Sequence, residues 1–135
     1  MADVLVDAGF LVALLSGRDT HHKWAVTQAS ELPPPWFTCE SVLSEAFHLL
    51  GSRGAPALTV VIRREALLIA FALAENVSPV VRLMEKYSDV PMSLADACLV
   101  RMTETLRDPI ILTTDHDFRV YRRHSRQVVP CATPE

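Results

Sequence analysis

The sequence predicts an α/β sandwich built on a parallel sheet of about four or five strands. Three observations carry this. Short β-branched runs alternate with stretches of helical periodicity along the chain. Those runs are apolar throughout, as strands buried on both faces are. Two of them, Val4-Leu5-Val6-Asp7 and Ile110-Ile111-Leu112-Thr113-Thr114-Asp115, lead directly into acids. In such sheets functional groups gather beyond the carboxyl ends of the strands.

Taken in order, Val4–Val6 reads as a buried strand and Phe10–Leu15 as a short helix that Ser16-Gly17 ends. Thr20 is the expected cap of a second helix carrying Trp24 and Ala25. Pro33-Pro34-Pro35 forbids helix and marks a loop before a strand at Trp36–Thr38. Ser41–Leu50 has helical spacing, with Gly51 and Gly54 as its stop, and a further helix is expected from Pro56 to about Arg64. Leu67–Phe71 reads as a third buried strand. Val77–Tyr87 reads as an amphipathic helix with Val80, Val81, Met84 and Tyr87 on one face. Ser93 opens a helix that turns Leu94, Ala97, Cys98 and Met102 inward. Ile110–Leu112 is the fourth buried strand, Asp117–Arg123 a helical turn, Val128–Val129 an edge strand, and 130–135 a tail.

The 135 residues suit a single domain spanning 1–135, and with half of them apolar they can build one core. A net charge of −3 excludes a polybasic nucleic-acid tail. Only Lys23 and Lys86 among the thirteen cationic residues are lysine; the rest are arginine, which suits bidentate contact with phosphate or carboxylate. Cys39, Cys98 and Cys131 are odd in number and widely spaced, which suggests neither a zinc site nor a disulfide framework. No apolar run approaches the roughly 20 residues of a membrane helix, and Asp3 and Asp7 interrupt the N-terminus unlike a secretory signal. The expectation is a cytoplasmic protein with no membrane association.

Four acids stand at element boundaries or on apolar faces: Asp7, Glu45, Asp96 and Asp115. Each has a structural alternative. Asp7 can begin a turn. Asp96 fits a capping box with Ser93, and Thr114 to Asp117 has the same pattern. Glu45, among Val42, Leu43, Ala46 and Phe47, needs a partner if it lies on an apolar face, and Arg101 is one choice. Their joint occurrence favours function. Clustered carboxylates raise one another's pKa and call for a cation. Oxygen-only ligands favour a hard ion, Mg²⁺ or Mn²⁺, which can activate water and neutralise the leaving oxygen in phosphodiester cleavage. Arg119, Arg122 and Arg123, read on one helical face, form either a phosphate-contacting rim or an ordinary solvated one.

Val-Leu-Val-Asp7-Ala-Gly-Phe-Leu-Val-Ala-Leu-Leu, Leu-Ser-Glu45-Ala, Ser-Leu-Ala-Asp96-Ala-Cys-Leu-Val and Leu-Thr-Thr-Asp115-His-Asp117-Phe-Arg-Val resemble, in order, the four motifs of the PIN-domain family. The resemblance implies a three-layer α/β/α sandwich, one or two Mg²⁺ or Mn²⁺ ions, and endonucleolytic cleavage of RNA. It implies Asp7, Glu45 and Asp96 as metal ligands and Asp115 completing the site directly or through water. It adds Asp117 as a candidate fifth ligand and Thr114 as a holder of water or phosphate. Many small members are VapC-like toxins, often homodimers inhibited by a small antitoxin; an RNA-processing nuclease and a non-catalytic binding scaffold are the alternatives. Ala8 departs from the pattern, which often has Ser or Thr after the first Asp. A response-regulator receiver is disfavoured, because Asp7 stands alone after the first strand and no lysine follows Lys86. An Asp-nucleophile phosphatase is disfavoured too, since Asp7-Ala8-Gly9 lacks a second acid.

Overall fold

The computed structural model describes all residues, Met1–Glu135. β1 (Asp3–Val6) forms the middle of the sheet, and Leu5 and Val6 have no exposed surface, so both faces of the strand are covered. β2 (Trp36–Thr38) and β4 (Pro109–Leu112) flank it in parallel, β3 (Leu67–Ile69) lies outside β2, and β7 (Cys131–Ala132) lies outside β4. Helices complete a three-layer α/β/α sandwich. α1 (Ala8–Leu15) packs on α2 (His22–Glu31) and α3 (Glu40–Arg63), and α4 (Val77–Lys86) packs on α5 (Leu94–Thr105).

One hydrophobic core joins these layers. Phe10 stands edge-on to Trp24 and Trp36, at ring distances of 6.1 and 5.4 Å. Trp36 also satisfies its indole N–H on the Leu32 carbonyl. Phe118, Tyr121 and Tyr87 form a second edge-on series at 5.3 and 5.1 Å. Such pairs add directional preference to the area they bury. No helix is long and apolar enough to cross a membrane.

Several elements differ from the sequence expectation. The entry to α2 is held by Asp19, whose side chain accepts from the His21 N–H at 2.8 Å, and Thr20 has no part in it. The two helices expected around Gly51 form one element, α3, broken at Gly51 (φ 66°, ψ −171°) with no loop, and Gly54 lies inside it. Only glycine enters that backbone region readily. Gly51→Ala should therefore lower the melting temperature, at a cost of roughly 1–3 kcal/mol, measurable by thermal unfolding.

β3 is an edge strand, buried only at Leu67, because it has β2 as its sole neighbour. Val81 and Leu94, expected inward, are 44% and 40% exposed, while Val80 and Ala95 point into the core. Asp117–Arg123 is not one helical turn. A short 3-10 helix covers His116–Arg119, and β5 (Arg122–Arg123) then pairs antiparallel with β6 (Gln127–Val128) as a hairpin. The expected edge strand at Val128–Val129 is thus part of that hairpin. The expected tail instead supplies β7, anchored when Ile111 N–H donates to the Pro130 carbonyl and Thr113 N–H to that of Ala132.

Candidate active site

The chain leaves β1 for β2 on one side and returns to β4 on the other, so the strand order switches direction between β1 and β4. The carboxyl ends of two such strands diverge and leave a crevice. Register places specific groups there. Val6 lies opposite Leu112, and the Asp7 N–H donates to the Leu112 carbonyl at 3.0 Å, which sets Asp7 beside Thr113. The Thr113 hydroxyl donates to Asp7 Oδ2 at 2.7 Å and accepts from the Asp115 N–H at 3.0 Å. Asp7 Oδ1 accepts from the Ala8 N–H at 2.7 Å, capping α1. Asp115 Oδ1 caps the following 3-10 helix by accepting from the Asp117 N–H at 2.9 Å.

Asp96 reaches the same crevice from the first turn of α5. Its capping box is formed: Ser93 Oγ accepts from the Asp96 N–H at 3.1 Å, and Asp96 Oδ2 accepts from the Ser93 N–H at 3.3 Å. The Tyr121 hydroxyl donates to that same oxygen at 3.0 Å. One side chain thus both caps α5 and lines the crevice. Glu45 comes from the first half of α3 and stands at the exposed mouth rather than on a buried face. Arg101 is not its partner, since that guanidinium binds Asn76 Oδ1 and Glu104.

Asp7, Glu45, Asp96 and Asp115 thus line one cavity of about 340 Å³, with Gly9, Leu49, Ser93 and Thr114. No three of the acids close tightly enough to form a coordination cage by themselves. Asp117 is not in the lining; its backbone N–H donates to Asp115 Oδ1. Gly9 lets the Thr114 hydroxyl approach: a Cβ there would lie 2.1 Å from Thr114 Oγ1 and force that side chain to turn away.

The electrostatics follow from crowding like charges. Burial pushes the Asp7 carboxyl up to about 7; the Thr113 hydroxyl and Ala8 N–H oppose this, and Asp96 and Glu45 add to it. Asp96 is raised chiefly by burial, against its bonds from Ser93 and Tyr121. Glu45 is raised by burial and by Asp96 and Asp115. Burial and Asp96 also raise Tyr121, which holds it as a neutral donor.

The arginine rim takes a different form from the one expected. Arg122 directs one nitrogen at the carbonyls of Arg119, Val120 and Tyr121, at 2.8, 3.1 and 2.9 Å. Arg123 binds the carbonyls of Thr103 and Leu106, at the end of α5, and Arg119 binds Thr133. The three do not share a helical face, because β5 begins after the 3-10 turn. Arg123 satisfies carbonyls that a helix end leaves free. Arg123→Ala should cost about 1–3 kcal/mol of stability in thermal unfolding.

Thr113 and Tyr121 were not singled out from the sequence. Thr113 carried a usable signal, a hydroxyl directly after a buried strand; Tyr121 carried none, as its reach to Asp96 depends on the turn that precedes it.

The fold is a parallel α/β/α sandwich with four carboxylates collected at its switch point. The chain belongs to the PIN-domain family, which it matches over residues 4–123. Among solved structures it is similar to VapC20 of Mycobacterium tuberculosis, a toxin that cleaves the sarcin–ricin loop. The TM-score is 0.72 at 23% identity, over 87% of this chain and 93% of that one. No curated protein matches it.

Proposed function

We propose that residues 1–135 act as one PIN domain and form a metal-dependent endoribonuclease, the toxin of a toxin–antitoxin pair. The observation that carries this is the convergence of Asp7, Glu45, Asp96 and Asp115 on one cavity at the switch point, with the Asp7 carboxyl pushed up to about 7. Such a cluster repels a phosphodiester unless a cation neutralises it.

The donor set fits a hard divalent ion, because every ligand offered is a carboxylate oxygen. Asp96 Oδ1, Asp115 Oδ2 and both Glu45 oxygens have no protein donor. Asp7, Glu45 and Asp96 would hold Mg²⁺ or Mn²⁺, with Asp115 direct or through water and Asp117 behind it. When bound, the ion supplies an activated water and neutralises the leaving oxygen.

The chain's own groups prepare this. Thr113 orients Asp7 and favours its anionic form. Ser93 and Tyr121 fix Asp96 at one oxygen and leave the other directed elsewhere. These outer partners set ligand orientation.

The structural likeness to a sarcin–ricin-loop-cleaving toxin supports structured RNA as the first substrate to try. The expected partners are an antitoxin and a second copy of the chain, in the cytoplasm. The test is incubation with total cellular RNA and Mn²⁺ or Mg²⁺, with EDTA and Asp96→Asn controls. A discrete, metal-dependent cut lost in the variant supports the reading. Intact RNA together with no Mn²⁺ binding by calorimetry sinks it.

A further inference from the structure

The arginines beside the acidic cavity are not the ones that follow Asp115 in sequence. A second concavity, of about 410 Å³, adjoins the first and shares Leu49 with it. The turn after α1, Ser16-Gly17-Arg18, forms one side, and the segment around the Gly51 break of α3, from Leu49 to Gly54, forms the other. Arg18 and Arg53 both line it, both are exposed, and neither has an ion-pair or hydrogen-bond partner in the protein. A side-chain carbon at Gly17 would meet nothing within 4 Å, so the backbone there is open to an approaching ligand. Leu49, 54% exposed, offers an apolar surface between the two spaces.

We infer that this groove is a subsite for the RNA strand, with Arg18 and Arg53 gripping phosphates that flank the scissile one. The inference rests on the nuclease reading and deepens it. Four observations support an RNA backbone as occupant. A strand bound across the acidic cavity must leave it, and this concavity adjoins it at Leu49. Arginine presents a planar fork that matches phosphate oxygens. The whole chain carries −3, so affinity for a polyanion has to come from local cations. Arg119, Arg122 and Arg123, the alternatives, are engaged within the fold. Asp7 and the Ser16–Arg18 side of this groove stand at opposite ends of the eight-residue α1, about 12 Å along its axis, which places the Arg18 contact beside the cleaved bond and not on it.

The experiment measures fluorescence anisotropy of a fluorescein-labelled RNA stem-loop in Mn²⁺, using the full chain carrying Asp96→Asn to prevent cleavage. Arg18→Ala and Arg53→Ala are each expected to weaken binding about 3–10-fold, and together to flatten the plot of log affinity against log salt by about 0.7 per lost phosphate contact. In the cleaving background KM should rise with kcat preserved. Arg18→Lys should recover part of the affinity. Arg63→Ala with Arg64→Ala, on the far end of α3, serves as the charge-matched control and should match the parent. An unchanged affinity and salt slope in the double variant, with cleavage intact, overturns the subsite, leaves the nuclease reading standing and gives the groove to a protein partner. A parent that neither binds nor cuts RNA overturns both.

Discussion

Asp7→Asn is expected to abolish metal-dependent RNA cleavage while raising the melting temperature of the metal-free protein above pH 7. The two effects have one cause. In the folded chain burial and the neighbouring acids keep the Asp7 carboxyl protonated up to about 7, whereas the unperturbed value is 3.8. Between those values the unfolded chain has released its proton and the folded chain has not. Stability is therefore fully present below about 4, falls as pH rises, and has been lost above about 7. The shift corresponds to at most about 4 kcal/mol. Asparagine carries no charge and removes this dependence. Its amide can donate to the Thr113 hydroxyl, which is able to accept. Scanning fluorimetry in EDTA between pH 5 and 8 should show a falling melting temperature for the wild type and a flatter one for the variant. Mn²⁺ should stabilise the wild type at pH 8 and the variant much less. Activity should drop by more than the roughly 10–100-fold that losing an outer partner of a metal ligand costs. A wild-type melting temperature that does not move with pH would show that Asp7 does not carry the strain.

Thr113→Val is expected to weaken both the fold and the site, because one hydroxyl serves two acids. Valine keeps the shape and drops the oxygen. Asp7 Oδ2 loses its donor, and the Asp115 N–H loses its acceptor, at a position with no exposed surface. Leaving such groups unsatisfied costs about 1–3 kcal/mol. The hydroxyl lowers the Asp7 pKa, so its removal moves that pKa further up. The pH at which activity reaches half its maximum should shift upward, Mn²⁺ should bind more weakly, and the rate should fall about 10–100-fold. Thr113→Ser should restore all three. A valine variant that loses stability but keeps its pH midpoint would separate Thr113 from the chemistry.

The four acids were legible in the sequence because the parallel sheet puts strand ends together, and both Asp7 and Asp115 follow a run that reads as a strand. The interior strands β1 and β4 were legible for the same reason: buried on both faces, they are apolar without interruption. What was not legible depended on pairing over distance. Cys131-Ala132 has no strand signature of its own and becomes one because the outer edge of β4 is open to it. Arg122 and Arg123 read as a charged helical face; the backbone turn before them sends their guanidiniums to carbonyls instead. Glu45 looked buried because its neighbours are apolar, yet a helix turns 100° per residue, and its own direction is toward the cavity mouth. Arg18 and Arg53 carry no sequence signal, since their nearness arises only from the packing of α1 on α3.

The pairing of β1 with β4 also bears on biosynthesis. The hydroxyl–carboxylate contact between Thr113 and Asp7 joins residues 106 positions apart. A growing polypeptide that has emerged only as far as α4 owns Asp7 and Glu45 but has neither Asp96 nor Asp115 to set beside them. The carboxylates meet only after nearly the whole family domain has left the exit tunnel, and contacts of such long separation form late and slowly.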